Sequence, residues 1–193
     1  LQRQKAAMKL PEHQKAIGAL TVAESGLPTL ASLRFNANDQ STQNVIALLR
    51  GRDPALRDEY VVVGAHFDHL GRSSIFAQDT GTAIRNGADD NASGTAAVLE
   101  LARILAAKPP RRSIIFANFS AEELGVLGSA WFVNHSPVPI SSIVAMINFD
   151  MVGRLRNDKL IVYGTSTATE LKAIVDSANA VVGASPLQIA GGG

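Results

Sequence analysis

Apolar runs of strand length alternate with longer amphipathic segments over most of the chain. From Asn44 onward, five runs rich in β-branched and aromatic residues predict strands, namely NVIALLRG, EYVVVGAH, RRSIIFANF, ISSIVAMINFD and KLIVYG. Three segments have helical spacing, namely TAAVLELARILAA, ELGVLGSAWFVNH and TATELKAIVDSANAVV. This order predicts an α/β fold, and the almost wholly apolar VVVGA, SIIFA and IVAMI favour strands covered on both faces. We therefore expect a three-layer sandwich with a mixed, mostly parallel central sheet and helices on both faces.

Local signals predict where two of the helices begin or end. Asn91 or Ser93 can cap the first helix, and Pro109–Pro110 stops it. Ser120 followed by Glu123 has the spacing of a capping box for the second helix.

The first forty residues carry a weaker pattern. Pro11 interrupts a short helical segment, and GALTVAESGLPTLASLRF has room for one or two short strands. We therefore divide the chain into an N-terminal lead segment, residues 1–40, and a main domain, residues 41–193.

Composition narrows the class of protein. The 193 residues are 46% hydrophobic and 18% charged with a net charge of +1, as in an ordinary globular domain. No basic stripe of the kind that binds nucleic acid is present, and no apolar run is long enough to span a membrane. Cysteine is absent, which excludes disulfides and thiolate ligands. No signal peptide is visible, and the chain starts without Met.

Acidic and imidazole side chains stand at the ends of the apolar runs. They are His66 and Asp68, Asp89 and Asp90, Glu122 and Glu123, and Asp150. Ligands of open α/β sheets bind beyond the carboxyl ends of the strands, so these side chains are expected to share one site. Imidazole nitrogen and carboxylate oxygen are ligands of zinc and similar divalent ions. The pattern predicts a metal-dependent hydrolase.

Each motif also has a plainer structural interpretation. His66 and Asp68 fit a polar turn as well as a metal ligand whose second ring nitrogen is held by a carboxylate. Asp89–Asp90 fits a loop before a helix, but adjacent carboxylates repel unless a cation lies near them. Glu123 can cap the helix or bind metal and is not expected to do both. Asp150, directly after MINF, needs some partner.

The remaining histidines are assigned no role. His69 is not expected to be a ligand, because neighbouring residues leave a strand end in different directions. His13 and His135 lie in polar surroundings without acidic neighbours and are predicted to be surface residues.

Together these motifs resemble the co-catalytic zinc peptidases of the bacterial leucyl aminopeptidase type (clan MH), whose relatives include glutamate carboxypeptidase and the transferrin receptor. The resemblance rests on VVVGAHFDHLG, NGADDNASGTAAVLE, FANFSAEELGVLGSAWF and INFDMVG, and it runs from Asn44 to the C-terminus. It implies that residues 41–193 are a zinc peptidase catalytic domain with two zinc ions per complete active site.

The resemblance also implies the metal ligands. Asp89 would bridge the two ions, His66 and Asp150 would complete the ligands of one, and Glu123 would bind the other. Strained backbone with a cis peptide bond is expected at Asp89–Asp90, because a bridging carboxylate must face two cations while its neighbour turns away.

Two further residues receive catalytic roles by the same resemblance. Glu122 would be the general base that takes a proton from a metal-bridging water. Asp68 would orient His66.

The chain departs from the family pattern near its end. The family has a further histidine ligand after a glycine-rich loop, whereas no histidine follows His135 here. We therefore expect a chain truncated at its C-terminal end, with an incomplete second metal site. His66, Asp89 and Asp150 would supply three ligands to the first metal, whereas Asp89 and Glu123 would supply two to the second. The first metal is thus expected to bind more tightly.

The favoured function is a metal-dependent exopeptidase, an aminopeptidase that releases N-terminal residues from peptides. Three alternatives stay open: a carboxypeptidase of the same family, a glutaminyl cyclase-like acyltransferase, and a non-catalytic receptor-like binding domain. The carboxypeptidase would need a basic substrate pocket, glutaminyl cyclases use one zinc, and a receptor-like domain would have substituted ligands. The family resemblance implies a secreted or periplasmic protein with a peptide as its substrate.

Overall fold

The computed structural model describes residues 29–34, 41–71, 84–155, 157–181 and 187–190. The chain divides into two compact units, Leu1–Gly153 and Arg154–Gly193. The first unit contains β1 (Thr29–Arg34), β2 (Ser41–Leu49), β3 (Tyr60–His66), α1 (Gly94–Ala107), β4 (Ser113–Phe119), α2 (Leu127–Asn134) and β5 (Ile143–Asn148). The second unit contains β6 (Lys159–Ile161), α3 (Leu171–Ala180) and β7 (Gln188–Ala190). His13 lies outside the described residues.

The first unit is built on a five-stranded sheet in the order β1-β2-β4-β3-β5. The pairs β1–β2 and β2–β4 are antiparallel, whereas β4, β3 and β5 run parallel to one another. His66 lies opposite Phe119, and Gly64 lies opposite Asn148. The carboxyl ends of three parallel strands therefore meet at one edge, with β3 in the middle.

Helices cover this sheet on both faces, because successive residues of a strand point to opposite sides. Val62 and Ile115 pack with Trp131 and Phe132 of α2. On the other face, Val63 and Phe116 pack with Val98 of α1. The expectation that IVAMI is covered on both faces is wrong, because β5 is the edge strand and its Val144, Met146 and Ile147 are 50–52% exposed. The predicted three-layer α/β sandwich with a mixed sheet is confirmed.

The end of α1 agrees with the sequence prediction, whereas the start of α2 does not. The helix α1 ends before Lys108, and Pro109–Pro110 follows it as predicted. The helix α2 begins only at Leu127, and no side chain caps it. The predicted capping box is wrong, since the hydroxyl of Ser120 bonds that of Thr42 on β2 instead.

The second unit holds a two-stranded sheet in which β6 and β7 are parallel. Asn179 of α3 joins the helix to the start of β7, since its side chain both donates to the carbonyl of Leu187 and accepts from its N–H. Among the described residues, no helix combines the length and the apolar character that crossing a membrane requires. The domain boundary predicted at residue 41 stays a prediction.

Candidate metal centre

The end of β3 places His66 at the middle of the sheet edge, where its side chain is only 4% exposed. Its Nδ1 lies 3.0 Å from the carbonyl oxygen of Asp68. A carbonyl oxygen only accepts, so Nδ1 donates. The other nitrogen, Nε2, lies 3.2 Å from Oδ1 of Asp90 and 3.6 Å from Oδ1 of Asp150. His66 thus presents one nitrogen to a group of carboxylates.

Asp68 connects the loop after β3 to the loop after β4. Its Oδ1 accepts the N–H of Glu122 at 3.0 Å, and its Oδ2 accepts the N–H of Glu123 at 3.2 Å. Its Oδ1 also lies 3.7 Å from Nδ1 of His66. One carboxylate therefore faces the imidazole and fixes the backbone of both glutamates, which is more than the sequence predicted for it.

An irregular turn over Ala88–Ser93 carries the next acidic residue into the site. Gly87 precedes it at φ 64°, and a Cβ there would lie 2.7 Å from the carbonyl oxygen of Asp90. The backbone is non-helical at Asp90 and Asn91, and the peptide bond between them is cis. The cis bond that was predicted at Asp89–Asp90 thus occurs one residue later.

Asn91 ties this turn to the end of β5, and its side chain is almost completely buried at 1% exposed. Its amide donates to the carbonyl of Phe149 at 2.9 Å. Its Oδ1 accepts the N–H of Gly94 at 3.0 Å and that of Met151 at 3.3 Å. These bonds bring the acidic residues beside them, Asp90 and Asp150, to the same edge.

Asp89, predicted as the bridging ligand, makes its contacts within the turn and with the loop after β5. Its Oδ1 accepts the N–H of Gly153 at 2.9 Å, and its carbonyl oxygen accepts the hydroxyl of Ser93 at 2.6 Å. The neighbouring Asp90 is the residue that faces His66. Successive residues in an irregular turn point in different directions, so the sequence GADDN did not reveal which carboxylate enters the site.

Two groups of potential ligand atoms share Asp90. The first group is His66, Asp90 and Asp150, and the second is His69, Asp90 and Glu123. Within each group the ligand atoms lie within 4.8 Å of one another. In the first group, Oδ1 of Asp90 lies 3.2 Å from Nε2 of His66. In the second group, Oδ2 of Asp90 lies 3.8 Å from Nδ1 of His69.

The second group contains a histidine that was given no role from the sequence. Nδ1 of His69 lies 2.7 Å from Oε1 of Glu123. The HFDH spacing was the available signal, because it supplies a second imidazole three residues after the first.

The charges of the site act on one another. Burial lowers the pKa of His66, but its hydrogen bond to Asp68 and the charges of Glu122 and Asp150 prevail and raise it to about 9. Burial raises the pKa of Glu122, and the charges of Glu123, Asp150 and Asp68 add to this rise, whereas His66 opposes it. Burial also acts to raise the pKa of Asp68, but hydrogen bonds from His66 and from the N–H groups of the two glutamates hold it below its ordinary value.

This donor set fits divalent cations. It offers imidazole nitrogen and carboxylate oxygen, which zinc takes, and it places several carboxylates close enough to repel unless a cation lies among them. The hydrogen bond from Nδ1 of His66 to a carbonyl is the outer contact that metal-binding imidazoles ordinarily make.

A cleft of about 150 Å³ opens beside the first group. It is lined by His66, Phe119, Glu122, Val126, Ser129, Met146, Asn148 and Asp150. Glu122 and Asp150 are accessible from it, since their side chains are 36% and 48% exposed. A molecule in this cleft would meet both carboxylates.

Comparison with known proteins identifies one peptidase family over most of the chain. The model of peptidase family M28 matches residues 44–190. Aminopeptidase YwaD of Bacillus subtilis is 36% identical over 125 residues, which cover 64% of this chain and 25% of YwaD. The match therefore spans about a quarter of that relative's length.

Solved structures agree with this match. The zinc aminopeptidase BSAP of Bacillus subtilis superposes with a TM-score of 0.59 at 29% identity, over 81% of this chain and 36% of that one. A glutaminyl cyclase of Tannerella forsythia superposes with a TM-score of 0.60 at 24% identity, over 86% and 62% of the two chains, and this likeness shows the fold alone. The predicted resemblance to the co-catalytic zinc peptidases is confirmed, and the chain belongs to peptidase family M28.

Proposed function

We propose that the protein is a zinc-dependent aminopeptidase that uses two ions per active site. His66, Asp90 and Asp150 would hold the first ion, and Asp90 with Glu123 would hold the second. The observation that carries this proposal is the placement of Asp90, which belongs to both ligand groups. Its Oδ1 lies 3.2 Å from Nε2 of His66, and its ligand atom lies within 4.8 Å of that of Glu123.

We assign Asp90, and no longer Asp89, as the shared ligand. The carboxylate of Asp89 accepts a backbone N–H from Gly153, which holds it in the turn.

Zinc, when bound, would polarise the scissile carbonyl and lower the pKa of the attacking water. Glu122 is then the proton carrier. It lines the cleft, and its raised pKa suits a group that first accepts the proton of the water and then returns it to the leaving amine. Its Oε2 lies 4.0 Å from Nε2 of His66, so the base stands beside the first ligand group.

Asp68 supports this chemistry without touching the substrate. It fixes the backbone of Glu122 and Glu123 and faces the ring nitrogen of His66 that points away from the carboxylates. One carboxylate therefore contacts the general base and one ligand of each proposed ion.

The character of the cleft favours an amino-terminal substrate. Among the described residues that line it, two carboxylates are present and neither lysine nor arginine occurs. With Asp150 bound to the first ion, Glu122 is the carboxylate of this lining that would attract a substrate ammonium. This composition disfavours the carboxypeptidase alternative, which needs a basic pocket.

Hydrolysis of a panel of aminoacyl nitroanilides by the full-length protein tests the proposal, with and without a chelator and with zinc added back. We expect activity that the chelator abolishes and zinc restores. Glu122→Gln should reduce kcat by roughly 10²–10⁴-fold with its zinc content unchanged, because a positioned base contributes about that much. Glu100→Gln, on the exposed face of α1, is the matched control and should leave kcat unchanged.

Near-full turnover by Glu122→Gln would show that the base is another group. Cyclisation of N-terminal glutamine without hydrolysis of the panel would favour the cyclase alternative. A secreted or periplasmic location, which the family resemblance implies, stays a prediction.

A further inference from the structure

His69 makes a contact that the proposed mechanism does not yet use. Its Nδ1 lies 2.7 Å from Oε1 of Glu123, and the two side chains are 21% and 19% exposed. A carboxylate oxygen accepts, so the imidazole donates. The contact is long-range, since 54 residues separate the partners.

We propose that His69 is a positioning residue that holds the Glu123 carboxylate ready for the second zinc ion. This inference rests on the proposed function. A free glutamate side chain loses rotamer freedom when it binds a metal, whereas one already held by a hydrogen bond has lost much of it beforehand. Carboxylates that bind metals are commonly held in this way, and losing the holding residue typically weakens metal binding.

Glu123 is held at both of its ends by the same short segment. The carboxylate of Asp68 accepts its backbone N–H at 3.2 Å, and His69 donates to its side chain. His66, at the start of this segment, belongs to the first ligand group. Residues 66–69 therefore supply a ligand of the first proposed site and hold Glu123 of the second.

The backbone of Gly87 keeps His69 in place. A Cβ at Gly87 would lie 2.8 Å from Cβ of His69, so the imidazole packs directly on a position where only glycine fits. The same Gly87 precedes the turn that carries Asp90.

The separation of the atoms distinguishes positioning from direct ligation. Two ligand atoms on one tetrahedral zinc, each about 2.0–2.2 Å from the metal, lie roughly 3.3–3.6 Å apart. The 2.7 Å between His69 and Glu123 is shorter than this and is the length of a charge-assisted hydrogen bond. The geometry therefore favours donation to Glu123 over a shared metal.

The test is a calorimetric titration of zinc into the metal-free full-length protein, comparing the native sequence with His69→Ala and His69→Asn. The native protein should bind two ions. His69→Ala should weaken one site by roughly 10–100-fold and leave the other within about threefold. The side-chain amide of His69→Asn supplies a donor near the position of Nδ1, so this variant should recover most of the loss.

His135→Asn is the matched control. Its imidazole stacks on Trp131 and bonds that residue's carbonyl oxygen, and its titration should equal that of the native protein.

Two outcomes would overturn the inference. Unchanged binding in both His69 variants would show that the hydrogen bond does not prepare the site, and complete loss of one ion in both would make His69 a direct ligand. Native protein that binds fewer than two ions would instead contradict the proposed function, and this result is distinct from either of the others.

Discussion

Replacing Asp68 by asparagine tests how the site is held together. The carboxylate accepts the N–H groups of Glu122 and Glu123 at 3.0 and 3.2 Å, one on each oxygen, and its side chain is 20% exposed. Asparagine has one side-chain oxygen and one NH₂ group. One backbone N–H therefore keeps an acceptor, whereas the other meets a donor.

The expected cost follows from these two bonds. A hydrogen bond to a charged group contributes about 1.5–3 kcal/mol, and leaving a buried N–H without an acceptor costs about 1–3 kcal/mol. Because the site is partly open to water, we expect the free energy of unfolding to fall by about 2–4 kcal/mol in total. For a domain of 150–250 residues this corresponds to a Tm about 4–16 °C lower.

The assay is urea unfolding of the full-length protein followed by circular dichroism in the presence of a chelator, so that metal binding does not contribute. Asp176→Asn is the control, because its carboxylate is exposed and pairs with Lys172 one helical turn away at 2.7 Å. That change should cost at most about 0.5 kcal/mol. If Asp68→Asn were no more destabilising than this control, the carboxylate would not be what holds the two glutamates.

Two further predictions concern stability. Asn91→Ala removes three hydrogen bonds, two to the segment after β5 and one to the start of α1, so urea unfolding should show a loss of about 2–4 kcal/mol. A loss under about 0.5 kcal/mol would contradict the role given to Asn91. The pKa of His66 is raised from 6.5 to about 9, so its contribution to the stability of the metal-free protein should be complete below pH 6.5 and disappear as the pH rises through about 9. Stability measured across this range should therefore fall more steeply in the native protein than in His66→Asn, and parallel profiles would refute the reasoning.

The sequence predicted the fold because its signals are local and repeated. The apolar runs of β3 and β4 are covered on both faces, and residues such as Val62 and Val63 alternate between the two cores as strand geometry requires. The run of β5 looks the same in the sequence, but β5 is the edge strand of the sheet and stays about half exposed. The proline pair after α1 ended that helix where expected.

The start of α2 was mispredicted for a tertiary reason. Ser120 and Glu123 have the spacing of a capping box, but their partners come from distant parts of the chain. Thr42 takes the hydroxyl of Ser120, and Asp68 takes the N–H of Glu123. A capping pattern cannot show that another strand offers better partners.

The sequence predicted the edge of the sheet that carries the site but not which side chains face one another there. Placing His66, Glu122, Glu123 and Asp150 near one edge needed only the order of the strands. Choosing between Asp89 and Asp90 needed the backbone of an irregular turn, which Asn91 fixes through β5, and the contact of His69 depends on a loop 54 residues away.

The most direct test of the central claim is an anomalous difference map, recorded at the zinc edge, from crystals of the zinc-loaded full-length protein. Two peaks about 3.5–4 Å apart are expected, with the carboxylate of Asp90 between them and Asp89 still bonded to the N–H of Gly153. A single peak, or a zinc ion bound by Asp89 with Asp90 turned away, would contradict the account.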